Sequence, residues 1–173
     1  MINSSTIIHQ GRILQLAIDN VTLPNGKTVE LEILHHPGGA AIVALDAHQR
    51  VCLLRQYRHA AGGWLWELPA GKLEAGEDPQ TTAVRELAEE AGLRGGHWDM
   101  LGKIIATPGF CDEIIHLYLA RDLTAVTARP EDDELFEVHW IPFDQALQQV
   151  HDGILTDAKT MLGLTLAEKY TQA

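Results

Sequence analysis

Apolar and acidic residues alternate over residues 27–35, with the two-residue period of a half-buried strand. A second strand is predicted over residues 12–23. Between the two lies Pro24-Asn25-Gly26, which is typical of a hairpin turn because Asn-Gly accepts positive φ at low cost. Pro37-Gly38-Gly39 then interrupts the pattern. The chain is therefore expected to begin with a small antiparallel sheet and to have a domain boundary near His36.

The rest of the chain mixes short apolar segments of strand length with segments of helical period. Predicted strands cover residues 40–45, 51–57, 64–68, 101–106, 114–120 and 137–141. Predicted helices cover residues 79–91, 143–151 and 157–169. Strands mixed with a few helices predict a layered α/β or α+β domain. We therefore expect an N-terminal sheet over residues 1–36 and a main domain over residues 37–173.

The formal net charge of −11 narrows the range of expected partners. A protein this acidic does not hold nucleic acid through a general basic surface, and an anionic substrate needs metal ions or local arginines to overcome the repulsion. The apolar runs are too short to cross a bilayer, and the N-terminus lacks the pattern of a signal peptide. We therefore expect a cytoplasmic protein that acts on a small molecule, without nucleic-acid or membrane partners.

The segment from Asp78 to Gly92 has well-marked helix ends. Asp78 is a good N-cap, Pro79 suits the first helical position, and Gly92 suits a left-handed C-terminal stop. At about 100° per residue, an apolar stripe that is expected to pack on the sheet comprises Val84, Leu87, Ala88 and Ala91. The carboxylates that fall on the opposite side are Glu86, Glu89 and Glu90.

Three carboxylates at positions i, i+3 and i+4 of a helix repel one another. Crowded into a cleft they take up protons or bind cations, and oxygen-rich, flexible sites of this kind suit Mg²⁺ or Mn²⁺. Arg85 is placed to reach Glu89 one turn later and to hold it. The helix alone is equally compatible with a solvated acidic face that is stabilised by i,i+4 ion pairs.

The loop before the helix favours the metal-binding hypothesis. Residue types with a role in a known motif follow one another at fixed spacings: Gly71, Glu77, Arg85, Glu86, Leu87, Glu89, Glu90, Gly92 and Leu93. This arrangement resembles the Nudix box, and every fixed position of that motif is filled. A chance match at nine specified positions is very improbable.

The resemblance implies the Nudix fold, in which a mixed sheet is sandwiched between helices. It also implies hydrolysis of a nucleoside diphosphate that is linked to another moiety, with two or three Mg²⁺ or Mn²⁺ ions per site. The implied metal ligands are Glu86, Glu89, Glu90 and the backbone carbonyl of Ala70. Arg85 and Glu89 are implied as catalytic residues of the same site, and Glu77 is implied to steady the loop and the helix.

Segments outside the box resemble the ADP-ribose pyrophosphatase subfamily: Gln56-Tyr57-Arg58, Glu67-Leu68-Pro69-Ala70-Gly71 and the Pro-Gly loop over residues 107–113. Arg58 is implied to hold a substrate phosphate through its guanidinium fork, and Glu67 is a further candidate for substrate binding. In the loop, Pro108 and Gly109 are implied to surround the terminal ribose, and Glu113 to contact that ribose or an activated water. Phe110 contacts substrate in this interpretation, or alternatively anchors the core.

A second acidic cluster, Glu131-Asp132-Asp133-Glu134, precedes the predicted strand at residues 137–141. In the resembled subfamily a mobile acidic loop here closes over the substrate and supplies a catalytic base or a further metal ligand. On that basis Glu134 is the first choice for this role, and Asp132 or Glu131 the second. A solvated charged loop is the alternative interpretation.

The function implied by the resemblance is hydrolysis of ADP-ribose to AMP and ribose 5-phosphate. A pyrophosphatase of a nucleoside diphosphate sugar such as GDP-mannose is an alternative with the same box. A non-catalytic nucleotide-binding module is a rival of another class, and the intact box argues against it. Members of the subfamily pair through their N-terminal sheet, so a homodimer formed through an exposed edge strand is also expected.

Overall fold

The computed structural model describes residues 1–130 and 134–171 of the chain. The helices are α1 (Pro79–Ala91), α2 (Phe143–His151) and α3 (Ala158–Ala167), and 3₁₀ turns cover His59–Ala61 and Glu168–Tyr170. The strands are β1 (Ile2–Gln10), β2 (Gln15–Thr22), β3 (Thr28–His35), β4 (Gly39–Ala44), β5 (Arg50–Arg58), β6 (Gly63–Glu67), β7 (Ala70–Lys72), β8 (Leu93–Arg94), β9 (His97–Ile105), β10 (Ile114–Arg121), β11 (Thr124–Ala125) and β12 (Phe136–Pro142). The bounds predicted for α1 and α2 are confirmed.

One compact unit consists of Met1–Gly38 together with Ile105–Ile114. Its sheet has the order β1-β2-β3, and both pairs are antiparallel. The sequence predicted β2 and β3 but not β1, because all nine residues of β1 are exposed and show no alternation of apolar and polar positions. The chain division at residue 36 stays a prediction.

The other unit consists of Gly39–Ile104 and the chain from Ile115 onward. One of its sheets has the order β7-β4-β10-β9, in which β10 runs parallel to β4 while β7 runs antiparallel to it. A further sheet has the order β12-β5-β6, with antiparallel pairs. The mixed sheet that the fold class required is therefore present.

The helices of this unit cover opposite faces of the strands. Alternate residues of β4 and β5 belong to two different cores, as the period of a strand requires. Val43 and Leu53 pack with residues of α2 and α3, such as Leu164. Ile42 and Cys52 pack with residues of α1, such as Leu87. This arrangement is the predicted α/β/α sandwich, with α1 on one face and α2 and α3 on the other.

Among residues 1–130 and 134–171, no helix has the combination of length and apolar character that a membrane-spanning segment needs.

Candidate active site

Helix α1 is held at both ends by the residues that the sequence indicated. The Asp78 carboxylate accepts hydrogen bonds from the backbone N–H groups of Gln80 at 3.0 Å and Thr81 at 3.2 Å. Gly92 adopts the left-handed conformation at φ 63°, and its N–H binds the Ala88 carbonyl at 3.2 Å. The orientation of the side chains along α1 is therefore well defined.

The face of α1 that packs on the sheet differs from the predicted one. Its buried residues are Thr82, Ala83, Glu86, Leu87 and Glu90. The prediction that the acids lie opposite the packed face is wrong for Glu86 and Glu90, and only Glu89 is half-exposed. Val84, which was assigned to the apolar stripe, is exposed instead. The sequence thus placed the carboxylates on one helix correctly but missed that two of them are buried.

Room for the buried carboxylates comes from Gly71 in β7. A Cβ atom at this position would lie 1.9 Å from Oε1 of Glu86 and 2.1 Å from its Cδ, which is far inside van der Waals contact. The missing side chain of Gly71 is therefore the space that the Glu86 carboxylate fills. This packing gives a physical reason for the glycine that precedes the helix.

Glu90 is buried with one of its carboxylate oxygens unsatisfied. Its Oε2 accepts a hydrogen bond from the backbone N–H of Ala70 at 2.8 Å. Its Oε1 is buried and has no hydrogen-bond partner among the described residues. Burial raises the pKa of Glu90 well above the ordinary value, and the negative charges of Glu86 and Glu134 raise it further. A buried, unpartnered carboxylate oxygen is costly unless something binds it.

Glu86 is in a similar electrostatic environment. Burial is the largest cause of its raised pKa, and the charges of Glu89 and Glu134 act in the same direction. The neighbouring guanidinium of Arg85 offsets part of this effect. Two buried carboxylates in one place favour either protonation or a bound cation.

Arg85 connects the helix with the preceding loop. Its Nη1 donates to Glu86 Oε1 at 2.8 Å and to Glu89 Oε2 at 3.0 Å, so the predicted Arg85–Glu89 pair is confirmed. Its Nε and Nη2 bind the two oxygens of Glu77 at 3.1 and 3.0 Å. These bonds lower the pKa of Glu77 to about 2. Glu77 therefore fastens the loop to the helix through Arg85.

The donor set fits a hard divalent cation. Carboxylate oxygens are the ligands that Mg²⁺ and Mn²⁺ prefer, and the bare Glu90 Oε1 is one such ligand in a buried position. Within the described part of the chain, no three His, Cys, Asp or Glu side chains already converge as a complete ligand set. The Arg85 guanidinium, which binds Glu86 Oε1 and Glu89 Oε2, supplies the positive charge there instead.

Within the acidic loop the structure describes Glu134, the first choice of the sequence, and its catalytic or metal-binding role stays a prediction. Its charge acts on both Glu86 and Glu90 and raises the pKa of each. Glu131, Asp132 and Asp133 lie outside the described residues. The second choices of the sequence, Glu131 and Asp132, therefore stay predictions.

Arg58 and Glu67 form a two-pronged ion pair. Arg58 Nε binds Glu67 Oε1 at 2.8 Å, and Nη2 binds Oε2 at 2.9 Å. Glu67 is only 1% exposed, and its Oε2 also accepts from Lys159 Nζ at 2.7 Å. The carboxylate of Glu67 therefore binds two basic side chains, those of Arg58 and Lys159. The Arg58 side chain remains 42% exposed.

Sequence reasoning missed Lys159 and its neighbours Asp157 and Thr160. Their only visible signal is an Asp before a helical segment, which predicts an N-cap and no more. Asp157 does cap α3, since its Oδ2 accepts from the Thr160 backbone N–H at 3.0 Å. Nothing in the linear pattern indicates that Lys159 reaches Glu67, which lies 92 positions earlier.

The Pro-Gly loop belongs to the unit that contains the N-terminal sheet. Pro108 and Gly109 are exposed, and so is Phe110, which does not serve as a core anchor. Glu113 Oε1 lies 3.3 Å from His36 Nδ1. The loop is tied to β3, because Asp112 binds the ring of His35 at 2.6 Å and the backbone N–H of His36 at 2.8 Å. Neither of these histidine contacts was predicted from the sequence.

The layered fold and the acidic helix α1 are found together in a known family of hydrolases. A model of the NUDIX domain matches residues 35–161, which is more than half of the chain. The chain belongs to the NUDIX family, whose enzymes generally depend on divalent metal ions.

Relatives with assigned names resemble this chain over most of its length. It is 40% identical to the methanol dehydrogenase activator of Bacillus methanolicus, with 91% of this chain and 86% of that protein covered. It is 39% identical to the ADP-ribose pyrophosphatase of Mycobacterium tuberculosis, with 97% and 83% covered. It is 32% identical to the GDP-mannose pyrophosphatase of Cronobacter sakazakii, with 83% and 81% covered.

A solved structure has the same fold. It is described as the crystal structure of an ADP compounds hydrolase, and it superposes with a TM-score of 0.84 at 18% sequence identity. The match covers 99% of this chain and 94% of the other. At this level of identity the match supports the fold alone.

Proposed function

We propose that this protein hydrolyses ADP-ribose to AMP and ribose 5-phosphate with Mg²⁺ or Mn²⁺. The observation that carries the hydrolase assignment is the pair of buried carboxylates on α1, one of which presents the unpartnered Glu90 Oε1. The ADP-ribose assignment is supported by the 39% identity to a pyrophosphatase of that substrate over nearly the whole chain. ADP-ribose carries the diphosphate bridge that such a site is suited to cleave.

The cations, two or three per site, would supply neutralisation of the diphosphate and activation of the attacking water. Glu86, Glu89, Glu90 and the Ala70 carbonyl are the residues we propose to hold them. Arg85 keeps Glu86 and Glu89 in place through its two hydrogen bonds from Nη1. The formal charge of −11 is then no obstacle to an anionic substrate, because the local positive charge comes from metal and arginine.

The proton of the attacking water must pass to a base as the new P–O bond forms and the bond to the bridging oxygen breaks. Glu134 is our first choice for this base, since its charge is already felt by Glu86 and Glu90. Asp132, Glu131 and Glu113 are the other candidates.

From the subfamily resemblance alone we propose Arg58 as a phosphate-binding residue and Pro108, Gly109, Phe110 and Glu113 as substrate-binding residues. Arg58 is half of a rigid ion pair, and its partly exposed guanidinium is suited to a phosphate oxygen. The Glu67 carboxylate is buried and already bound by the side chains of Arg58 and Lys159. We therefore propose that Glu67 acts by orienting Arg58 and does not contact the substrate directly. Pro108, Gly109 and Phe110 are exposed, so each is accessible to a ligand.

Two alternative functions predict different results in a substrate assay. A nucleoside diphosphate sugar such as GDP-mannose shares the cleaved bridge, and the similarity to a GDP-mannose pyrophosphatase is specific support for it. A non-catalytic nucleotide-binding module is the second alternative, and the similarity to a protein called methanol dehydrogenase activator is compatible with a regulatory role. The intact set of Arg85, Glu86 and Glu90 disfavours that module, since binding alone needs no buried pair of carboxylates.

A substrate panel tests the proposal. ADP-ribose, GDP-mannose and other diphosphate compounds are incubated with the protein and Mg²⁺, and a phosphatase releases phosphate only from the cleaved products. We expect kcat/KM for ADP-ribose to exceed that for GDP-mannose about tenfold or more, because the terminal ribose and the base each contribute to transition-state binding. A preference for GDP-mannose supports the first alternative, and nucleotide binding without turnover supports the second.

We also propose that the protein is a homodimer formed through its N-terminal sheet. The edge strand β1 is exposed along its whole length and presents Ile2, Ile7 and Ile8, which are each more than half exposed. An exposed apolar edge of this kind is a site for pairing with another chain. The cytoplasmic location likewise remains a proposal from the sequence.

Light scattering tests the dimer. The wild type is expected to have twice the chain mass of 19.1 kDa, and Ile7→Asp/Ile8→Asp is expected to shift it to the single mass. The matched control is Ile154→Asp, which changes an equally exposed isoleucine of the other unit. A monomeric wild type, or a double variant that still has the doubled mass, contradicts the proposal.

A further inference from the structure

The segment from Glu67 to Ala70, which runs from the end of β6 to the start of β7, is held by a contact at every residue. The Glu67 carboxylate is bound by Arg58 and Lys159. The Pro69 carbonyl accepts from the Ile42 N–H at 2.9 Å. The Ala70 N–H donates to Glu90 Oε2 at 2.8 Å. The remaining residue, Leu68, is fastened by the first turn of α3.

We propose that Thr160 is a positioning residue for the metal site. Its hydroxyl fixes the backbone at Leu68, and this sets the Ala70 N–H so that it holds one oxygen of Glu90 and leaves the other bare for a cation. The inference rests on the proposed metal-dependent function. It assigns a role to α3, a helix that contributes no acid to the site.

The hydroxyl of Thr160 both accepts and donates a hydrogen bond, and this fixes its orientation. It accepts from the Leu68 N–H at 2.9 Å and donates to Asp157 Oδ2 at 2.6 Å. Thr160 is completely buried, so its hydroxyl is shielded from bulk solvent. Because Asp157 accepts only, the hydroxyl proton points at it, and the oxygen is left to receive the Leu68 N–H.

Two further contacts join the same turn to the same segment. Lys159 Nζ bridges Glu67 Oε2 at 2.7 Å and Asp157 Oδ1 at 3.0 Å. One turn later, Gly163 lets α3 approach Leu68 so closely that a Cβ there would lie 2.7 Å from Leu68 Cδ1. The first two turns of α3 are therefore joined to the segment from Glu67 to Ala70 through Lys159, Thr160 and Gly163.

Few residues separate the contact between Thr160 and Leu68 from the proposed metal site. Leu68 and Ala70 are two residues apart, and the Pro69 between them has a fixed φ. A shift of the Leu68 backbone moves the Ala70 N–H away from Glu90, whose carboxylate can then rotate. Outer contacts of this kind are worth about 10–100-fold in metal affinity.

The test is Mn²⁺ binding to the substrate-free protein, measured by electron paramagnetic resonance of free Mn²⁺ and by calorimetry. Thr160→Val keeps the shape of the side chain but removes the hydroxyl, and we expect it to weaken Mn²⁺ binding about tenfold or more. Thr160→Ser keeps the hydroxyl and is expected to bind within about threefold of the wild type. Thr165→Val is the control, since within the described part of the chain the Thr165 hydroxyl binds only the Met161 carbonyl of its own helix, at 2.8 Å.

Near-ultraviolet circular dichroism shows whether each variant is folded. Should Thr160→Val not fold, Thr160→Cys carries the same test, because a thiol of similar size is only a weak hydrogen-bond acceptor. Unchanged Mn²⁺ affinity in the folded variant, or equal losses in the Val and Ser variants, overturns the inference. A wild type that binds Mn²⁺ but leaves ADP-ribose intact refutes the proposed function and not this inference.

Discussion

Glu90→Gln is expected to lower the rate of ADP-ribose hydrolysis about a thousandfold, equivalent to ~4 kcal/mol of transition-state stabilisation. The amide oxygen can keep the hydrogen bond from the Ala70 N–H. The amide nitrogen then takes the place of the bare Oε1, and an N–H donor cannot bind a cation. Mn²⁺ binding should therefore be lost together with activity.

The same variant is expected to fold at least as stably as the wild type in metal-free buffer. Burial raises the pKa of Glu90, so the stability of the wild type falls as the pH rises above the ordinary value of 4.5 and the buried group ionises. A neutral amide does not bear this cost. Thermal unfolding without Mn²⁺ compares the stability of the variant with that of the wild type. When Mn²⁺ is added, only the wild type should be stabilised.

Glu74→Gln is the matched control for this variant. It makes the same change at an exposed glutamate of the neighbouring loop, so both activity and Mn²⁺ binding should stay within about twofold of the wild type, as surface substitutions usually do. Full activity in Glu90→Gln, or an equal loss in Glu74→Gln, contradicts the assignment of Glu90 as a ligand.

Gly71→Ala is expected to reduce activity about a hundredfold with little change in melting temperature. The new methyl group would lie 1.9 Å from the Glu86 Oε1 and must displace that carboxylate. A side-chain end moves more readily than backbone, so the fold should survive while the ligand is misplaced. Steady-state kinetics and thermal unfolding of the single variant measure the two effects.

A double-mutant cycle identifies the clash as the cause. Glu86→Ala removes the carboxylate that the new methyl group would strike. Adding Gly71→Ala to this background should then cost no further activity. Additive losses would show instead that Gly71 acts through the backbone of β7, and would contradict the role given to its missing side chain.

Much of the site could be predicted from the sequence because it is local. The residues from Gly71 to Gly92 are close along the chain, the helix period fixes their relative directions, and Asp78 and Gly92 mark the helix ends. The salt bridge from Arg85 to Glu89 follows from i,i+4 spacing alone. Local geometry of this kind needs no knowledge of the tertiary structure.

The burial of Glu86 and Glu90 could not be predicted in the same way. A periodicity argument assigns apolar residues to the packed face, so it chose Val84 for that face. The packed face instead accommodates carboxylates because Gly71 leaves space and the Ala70 N–H supplies a donor. Functional sites are where such patterning rules are expected to fail.

Contacts between distant parts of the chain were missed for a similar reason. The Thr160–Leu68 and Lys159–Glu67 bonds each join residues 92 positions apart, and neither residue type marks such a partner. The strand β1 escaped prediction because both of its faces are exposed, which leaves no alternation to detect. These features became visible only with the fold.

The most direct test of the metal site is anomalous diffraction from a crystal of the wild-type protein soaked in Mn²⁺. We predict a peak within about 2.5 Å of Glu90 Oε1, the buried oxygen that has no partner among the described residues. At least one further peak should lie against Glu86 or Glu89. A well-ordered soaked crystal with no peak at Glu90, and with Arg85 still paired to Glu86 and Glu89, would contradict the account.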